Sequence, residues 1–221
     1  AEMQHKIIDS RIRAINAQMN PHFIFNCMHS IQNLISKKDM QNADNCLARF
    51  AKLIRKVLDN SMQKEITLED DLETLNDYVE LEKLRLEFPL TYTVHLASNV
   101  NPVEIMIPPL LMQPLVENAI FHGLKPKEGP GEIIIYIRKD NTVLEISIAD
   151  NGVGRKITPE KTGKRKTYGV SLTKERLDYI SAYNNVRSGY KIENLFNIEN
   201  NISGTKVTLT IPLFCLLYTS D

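Results

Sequence analysis

At 221 residues the chain has room for one large domain or two small ones, and its 43% of hydrophobic residues is enough to form a core. Charged residues make up 24%, as in ordinary globular proteins. Lysine and arginine together number 27, and so do aspartate and glutamate, so the net charge is zero and the composition gives no support for nucleic-acid binding.

Two helical segments flank Pro21 near the beginning of the chain. Upstream, apolar residues recur at the 4-3-4 spacing of a coiled-coil seam, at Ile8, Ile12, Ile15 and Met19. A proline inside a helical pattern removes a backbone hydrogen bond and bends or ends the helix. Beyond Pro21, the spacing predicts a second apolar stripe formed by Ile24, Met28, Ile31 and Ile35.

Two more helices complete the first half of the chain. The pattern predicts a helix over residues 40–61, whose apolar stripe carries Ala43, Leu47, Phe50, Ile54 and Val57. Thr67 and Asp70 have the spacing of a capping box, so they begin a third helix that extends to Glu87, before Pro89. The apolar positions of this helix are Leu68, Leu72, Leu75 and Val79.

The second half of the chain mixes strand patterns with helix patterns. Helices are predicted after Pro108-Pro109 and over 170–183, and a turn is predicted at Asp140-Asn141. The predicted strands span 91–96, 132–138, 143–149, 189–196 and 206–211. The fold class is therefore α+β. We expect a helical region over 1–88 and a second, α/β domain over 89–221.

No stretch of the sequence approaches the roughly 18 apolar residues that a membrane-spanning helix needs, and no signal peptide is evident. The three cysteines are scattered, without a CxxC pair, which argues against a disulfide framework or a zinc site and favours a reducing cytosol. Since the chain begins within a helical pattern, we expect the cytoplasmic domain of a longer, inner-membrane or plasma-membrane protein, joined to the membrane only through an upstream segment.

His22 lies in an unusual segment, QMNPHFIFN (residues 18–26). At about 100° per residue, His22 lies nearly opposite Ile24 on a helix, outside the predicted apolar stripe. An exposed imidazole is partly neutral and nucleophilic near neutral pH, so it can accept a phosphoryl group that a second domain delivers. On this helix alone, a histidine that only packs beside Pro21 explains the pattern at least as well.

Polar side chains also occur along one edge of the helix predicted after Pro108-Pro109. Asn118 and His122 are four residues apart and share a helix face. The amide oxygen of Asn118 is a suitable ligand for Mg²⁺, which takes a few protein oxygens together with phosphates and waters. Glu117 can polarise an attacking group or hold a metal-bound water. An amphipathic helix with a polar edge is the alternative interpretation.

A glycine-containing loop follows Asp150 at the end of a predicted strand. The Asp150 carboxylate can accept a hydrogen bond from the amino group of adenine, and Gly152 and Gly154 let the backbone approach a ligand closely. The same pattern also occurs in ordinary turns. Downstream, the basic stretch 155–166 has the composition of a lid that neutralises a triphosphate, or of a solvated loop. Gly169 precedes a helix whose first amides can bind phosphate.

Together, these motifs resemble the LytS/YehU-type sensor histidine kinases, whose catalytic domain belongs to the GHKL ATPase superfamily. The resemblance covers nearly the whole chain, through QMNPHFIFN (18–26), PPLLMQPLVENAIFHGL (108–124), DNGVG (150–154), YGVSLTKERL (168–177) and GTKVTLTIP (204–212). It implies a helical dimerisation region followed by an α/β-sandwich GHKL (Bergerat) ATP-binding domain.

The resemblance also implies a role for each matched residue. His22 would be the phosphorylated residue, Asn118 the Mg²⁺ ligand and Asp150 the residue that recognises adenine. Glu117 would act as the catalytic base. The other predicted nucleotide-binding residues are His122, Gly123, Gly152, Gly154, Gly169, Leu172 and Thr205.

The implied function is that of an ATP-dependent protein-histidine kinase, a homodimer that uses Mg²⁺ and passes its phosphoryl group to the receiver domain of a response regulator. Two alternatives stay open. Another type of GHKL ATPase would not need the motif around His22. A degenerate scaffold with weak or no kinase activity would account for Ser171, which replaces the second glycine of the usual G-x-G-L motif.

Overall fold

The computed structural model describes residues 21–155 and 189–213. The chain divides into two compact units: one comprises the residues up to Leu86 together with Met106–Leu110, and the other comprises Glu87–Ile105 and the chain from Leu111 onward. Within the described ranges, no helix is long and apolar enough to cross a membrane. The predicted upstream seam, the basic stretch beyond Arg155, the helix over 170–183, Gly169 and Leu172 lie outside the described residues.

The described elements follow one another as helices first and strands second. In chain order they are α1 (Pro21–Ser36), α2 (Met40–Ser61), β1 (Ile66–Thr67), α3 (Leu68–Lys83), β2 (Leu90–Leu96), β3 (Met106–Ile107), α4 (Gln113–Asn118) with a π-helical continuation (Ala119–Leu124), β4 (Gly131–Lys139), β5 (Val143–Asp150), β6 (Gly189–Phe196) and β7 (Ile202–Pro212).

In the helical unit, the predicted beginning of α3 is confirmed and its predicted end is wrong. The Asp70 amide donates to Thr67 Oγ1 at 3.0 Å, and Thr67 Oγ1 donates to Asp70 Oδ2 at 2.6 Å, as a capping residue should. The helix ends at Lys83 rather than Glu87. It ends there because the amides of Arg85 and Leu86 both bond to the Glu82 carbonyl, at 2.9 and 3.2 Å, which tightens the last turn.

The core of the helical unit joins α1, α2 and α3. The Phe23 ring lies 4.8 Å from the Tyr78 ring and 6.4 Å from the Phe50 ring, measured between centroids. Arg85 donates to Glu82 at 2.8 Å, and the Glu82 side chain is fully buried. This pairing keeps a charged carboxylate in the interior, where an isolated charge would be costly.

The predicted apolar stripes of α1 and α2 are buried only in part within the helical unit. In α1, Met28 and Ile35 are half exposed, whereas Phe23 and Cys27 are buried. In α2, Leu47 is exposed, and the buried residues are Ala43, Cys46, Leu53 and Val57. Both helices carry two apolar stripes offset by one position, and each stripe satisfies the helical period. Spacing alone therefore cannot tell which stripe faces the neighbouring helix.

The second unit contains a five-stranded sheet in the order β2-β4-β5-β7-β6. β2 pairs with β4 in parallel, and the other neighbours are antiparallel. The five predicted strands are confirmed, although β7 begins at Ile202, earlier than predicted. The predicted turn is confirmed as well, because Asp140 Oδ1 accepts the amides of Thr142 and Val143 at 2.7 and 2.8 Å.

The helix predicted after Pro108-Pro109 is present but begins later, at Gln113. From Ala119 onward it widens into a π-helical turn, in which the Lys125 amide donates to the Ile120 carbonyl at 2.9 Å. Such widened turns are rare and occur often at functional sites. This turn lies against β4, β5 and β7 of the same unit.

Candidate functional site

A cavity of about 150 Å³ opens between the α4 helix and the sheet in the second unit. The helix contributes Leu115, Asn118, Ala119, His122 and Gly123, and the strands with the loop after β5 contribute Ile148, Asp150, Gly154, Arg155, Tyr190, Ile192, Thr205 and Val207. The cavity therefore brings together most of the described residues that the sequence predicts for nucleotide binding. Its walls are apolar, with a few polar groups aimed inward, as ligand sites usually are.

Asp150 occupies the end of β5 and is 7% exposed. Burial raises the pKa of its carboxyl to about 6, against the opposing effects of the Gly152 and Thr205 amides and of the Lys127 charge. Asp150 Oδ1 accepts the Gly152 amide at 2.9 Å. The group is thus fixed at the cavity wall and mostly ionised at neutral pH, so it can accept a hydrogen bond from a ligand amino group.

The backbones of the helix and of the loop after β5 meet at glycines. A Cβ at Gly123 would lie 2.8 Å from Asp150 Oδ1, and a Cβ at Gly152 would overlap the Gly123 carbonyl group. The Val153 amide donates to the same Gly123 carbonyl oxygen at 2.9 Å. Any side chain at Gly123 or Gly152 would push the loop away from the helix, so these glycines determine how closely Asp150 approaches the cavity.

Two buried polar atoms beside the cavity have no hydrogen-bond partner within the described part of the chain. They are Asn118 Nδ2 and the Tyr190 hydroxyl. Buried polar groups in folded proteins are nearly always paired, so two such atoms on one cavity indicate that a polar ligand completes them. Rotating the Asn118 side chain by half a turn would present its amide oxygen instead, which is the atom that a Mg²⁺ ion binds. The residues therefore fit a nucleotide and its Mg²⁺ ion.

The other predicted residues occupy different positions. His122 is exposed and lines the cavity, whereas Glu117 is half-buried and does not line it. His22 belongs to the first turn of α1, in the helical unit, and only its backbone is described. Seven residues further along α1, His29 is exposed. Among the described residues there is no cluster of three or more histidine, cysteine or acidic side chains that could hold a metal ion.

Several residues near the cavity have no role in the sequence prediction. Tyr190 lines the cavity, and Lys127 acts on the Asp150 charge. Asn151 Oδ1 accepts the Glu132 amide at 2.8 Å and so ties the loop to β4. The Asn194 side chain accepts a hydrogen bond from the Arg155 backbone amide and donates one to the Arg155 backbone carbonyl. Only Asn151 had a local signal, because it lies within the DNGVG motif.

Comparison with known proteins shows which family this chain resembles. The histidine kinase family profile matches residues 10–90. Sensor protein LytS of Staphylococcus saprophyticus is 33% identical over 214 residues, which is 96% of this chain and 35% of that protein. Sensor protein LytS of Bacillus subtilis is 33% identical over 174 residues, which is 74% of this chain and 29% of that protein. The chain thus spans about a third of the length of these curated relatives.

Among solved structures, the histidine kinase domain of the Erythrobacter litoralis EL346 blue-light activated histidine kinase aligns with a TM-score of 0.50 at 11% identity, over 89% of this chain and 98% of that chain. This likeness shows a shared fold, an α+β arrangement of the GHKL type. The sequence and structure matches confirm the resemblance predicted from the motifs, and we identify the chain as a relative of the LytS-type sensor histidine kinases.

Proposed function

We propose that the chain is the cytoplasmic catalytic part of a two-component sensor kinase, which autophosphorylates on His22 with ATP and then passes the phosphoryl group to an aspartate of a response-regulator receiver domain. The observation that carries this proposal is the cavity that combines Asn118, Asp150 and Thr205 beside closely packed glycine backbone. The second unit would hold the nucleotide, and the helical unit would present the acceptor.

Asp150 is the base-recognition residue in this proposal. Its ionised carboxylate accepts a hydrogen bond from the exocyclic amino group of adenine, and a 6-oxopurine has no donor at that position. The apolar lining, including Ile148, Ile192 and Val207, gives the flat base a surface to pack on. Selectivity for adenine then follows, because a buried carboxylate loses its partner when the wrong base binds.

Asn118 is proposed to act at the phosphate end of the cavity. A Mg²⁺ ion held through its amide oxygen would neutralise phosphate charge, as phosphoryl transfer requires. His122 and Arg155, which both line the cavity, add donors for phosphate oxygens. Charge neutralisation and positioning supply most of the rate enhancement in this class of reaction, so these residues matter more than an acid or a base.

In the transfer step, a neutral nitrogen of His22 attacks the γ-phosphorus. The N–P bond forms, the bond between that phosphorus and the β,γ-bridging oxygen breaks, and ADP leaves. The phosphorylated ring is then a cation that still carries the proton of its other nitrogen, and Glu117 is the proposed acceptor for that proton. An imidazole is already nucleophilic at neutral pH, so this base should contribute little to the rate.

A homodimer is part of the proposal. The helical unit exposes several large apolar side chains, namely Phe25 (66%), Met28 (52%), Ile35 (49%), Met40 (57%) and Leu47 (51%). Several large apolar side chains left in water on two successive helices are typical of an association site. A second copy that covers α1 and α2 would remove these side chains from water.

The test uses ATP labelled on its γ-phosphate. The wild-type chain should acquire label that is labile in acid and stable in alkali, as a phosphohistidine is. His22→Gln should abolish the label but still bind ATP. The matched control is His29→Gln, which removes an exposed histidine from the same helix and should retain the label. Label on the His22→Gln chain would overturn the assignment, and acid-stable label would favour another GHKL ATPase.

The degenerate scaffold is the second candidate, and the serine at position 171 is the observation that favours it. That residue lies outside the described part of the chain. The scaffold predicts a folded dimer that does not bind ATP measurably. Isothermal titration of the wild-type chain with ATP and Mg²⁺ separates the two, and replacing Ser171 with glycine should then restore binding only if the scaffold interpretation is right.

A further inference from the structure

The loop that follows Asp150 is held at its far end by one side chain from another strand. The Arg155 amide donates to Asn194 Oδ1 at 2.8 Å, and Asn194 Nδ2 donates to the Arg155 carbonyl at 3.0 Å. Asn194 belongs to β6, which is separated from β5 by β7. The loop therefore crosses the end of β7. There the side-chain amide of Asn194 pairs with the Arg155 backbone, as a peptide group of a neighbouring strand would.

The path of the loop over β7 is narrow. Gly154 has a φ of +67°, and a Cβ at that position would overlap Ile202 and lie 3.1 Å from the Gly204 carbonyl oxygen. Asn194 Oδ1 would be 3.4 Å away from the same Cβ. This backbone conformation is uncommon for other residues, so glycine lets the loop pass close over β7 at this point.

Gly154 and Arg155 both line the cavity, whereas Asn194 does not. The hydrogen bonds that the described residues give to the Arg155 backbone come from Asn194 alone. The Asn194 side chain is half-buried, whereas Arg155 is exposed, so both hydrogen bonds lie where water can reach them. If the side-chain amide of Asn194 is removed, the Arg155 backbone loses one hydrogen-bond donor and one acceptor.

We infer that Asn194 is a positioning residue: it fixes Gly154 and Arg155 at the rim of the cavity and thereby raises the affinity for nucleotide without touching it. This inference rests on the proposed function of the cavity. This role requires both the oxygen and the nitrogen of the Asn194 side-chain amide. A carboxylate at position 194 accepts the Arg155 amide but repels the Arg155 carbonyl oxygen, and an aliphatic side chain does neither.

The experiment compares wild type with Asn194→Asp and Asn194→Leu. The matched control is Glu193→Gln, which changes the adjacent, exposed residue of the same strand. Amide hydrogen exchange without ligand should show the Arg155 amide protected in wild type, in the control and in Asn194→Asp, and unprotected in Asn194→Leu. Exchange across the paired residues of β6 and β7 should stay unchanged in all four proteins.

Titration with ATP and Mg²⁺ is the second measurement. Loss of two hydrogen bonds of ordinary strength should weaken the affinity by roughly ten-fold in Asn194→Leu, with a smaller loss in Asn194→Asp and none in the control. A role in general stability would instead change exchange throughout the sheet. Equal affinity in wild type and both variants overturns this inference alone. Failure of wild type to bind ATP overturns the proposed function, and this inference falls with it.

Discussion

Replacing Asp150 with asparagine should stabilise the sheet unit at neutral pH while it weakens nucleotide binding. Burial raises the pKa of the Asp150 carboxyl from 3.8 to about 6. The folded state thus holds the proton more tightly than the unfolded chain, so ionisation above pH 6 opposes folding. The difference between these pKa values corresponds to about 3 kcal/mol. Asparagine removes this penalty but has one acceptor oxygen fewer for the Gly152 and Thr205 amides, which costs about 1 kcal/mol.

A net stabilisation of about 2 kcal/mol should slow the exchange of β5 amides about 30-fold at pH 7.5, compared with wild type at the same pH. The advantage should shrink as the pH falls through 6 and vanish below about 3.8, where the wild-type carboxyl becomes neutral in the unfolded state as well. Asp140→Asn is the matched control. Asp140 is exposed, and the Thr142 hydrogen bonds lower the pKa of its carboxyl, so this change should destabilise. If Asp150→Asn instead speeds exchange by the same factor at pH 7.5 and pH 5, the desolvation argument is wrong.

Three further changes test other parts of the structure. Gly152→Ala should abolish ATP binding in a titration and lower the melting temperature, because the new Cβ would overlap the backbone of Gly123. Arg85→Met should destabilise the helical unit by about 3–5 kcal/mol in urea unfolding, because it removes the ion pair of the fully buried Glu82 carboxylate; the double variant with Glu82→Gln should recover part of the loss. Asn118→Ala should remove the Mg²⁺-dependent part of the ATP affinity without lowering the unfolding midpoint of the free protein, because Asn118 Nδ2 has no partner in the described part of the chain.

The strands were predictable because one face of the sheet is buried. In β4, Ile133, Ile135 and Ile137 are buried and alternate with more exposed residues, so the sequence carries the period of two that a strand requires. The order of the strands was not predictable. No local feature records that β2 pairs in parallel with β4, or that β7 lies between β5 and β6. The buried faces of α1 and α2 were not predictable either, since two adjacent apolar stripes fit the same helical period.

In the candidate site, too, some residues could be predicted from the sequence and others could not. Asp150, Gly152 and Asn118 occur in short motifs, so the sequence could single them out as candidates once the motifs were considered together. Tyr190 and Asn194 carry no such signal. Tyr190 lines the cavity because β6 lies beside β7, and Asn194 bonds to Arg155 at its rim because the loop after β5 crosses β7; both facts depend on long-range pairing.

The described cavity gathers several departures from the usual rules of folding. A carboxylate is buried at Asp150, a helix widens into a π-helical turn after Asn118, and two buried polar atoms have no partner among the described residues. Each departure lowers stability, and natural sequences keep such features where function requires them. The same reasoning predicts the direction in which each substitution changes stability. Asp150→Asn repairs one departure, so it should make the chain more stable and less able to bind nucleotide. Arg85→Met disturbs an ordinary core pair, so it should cost stability without a specific effect on the ligand.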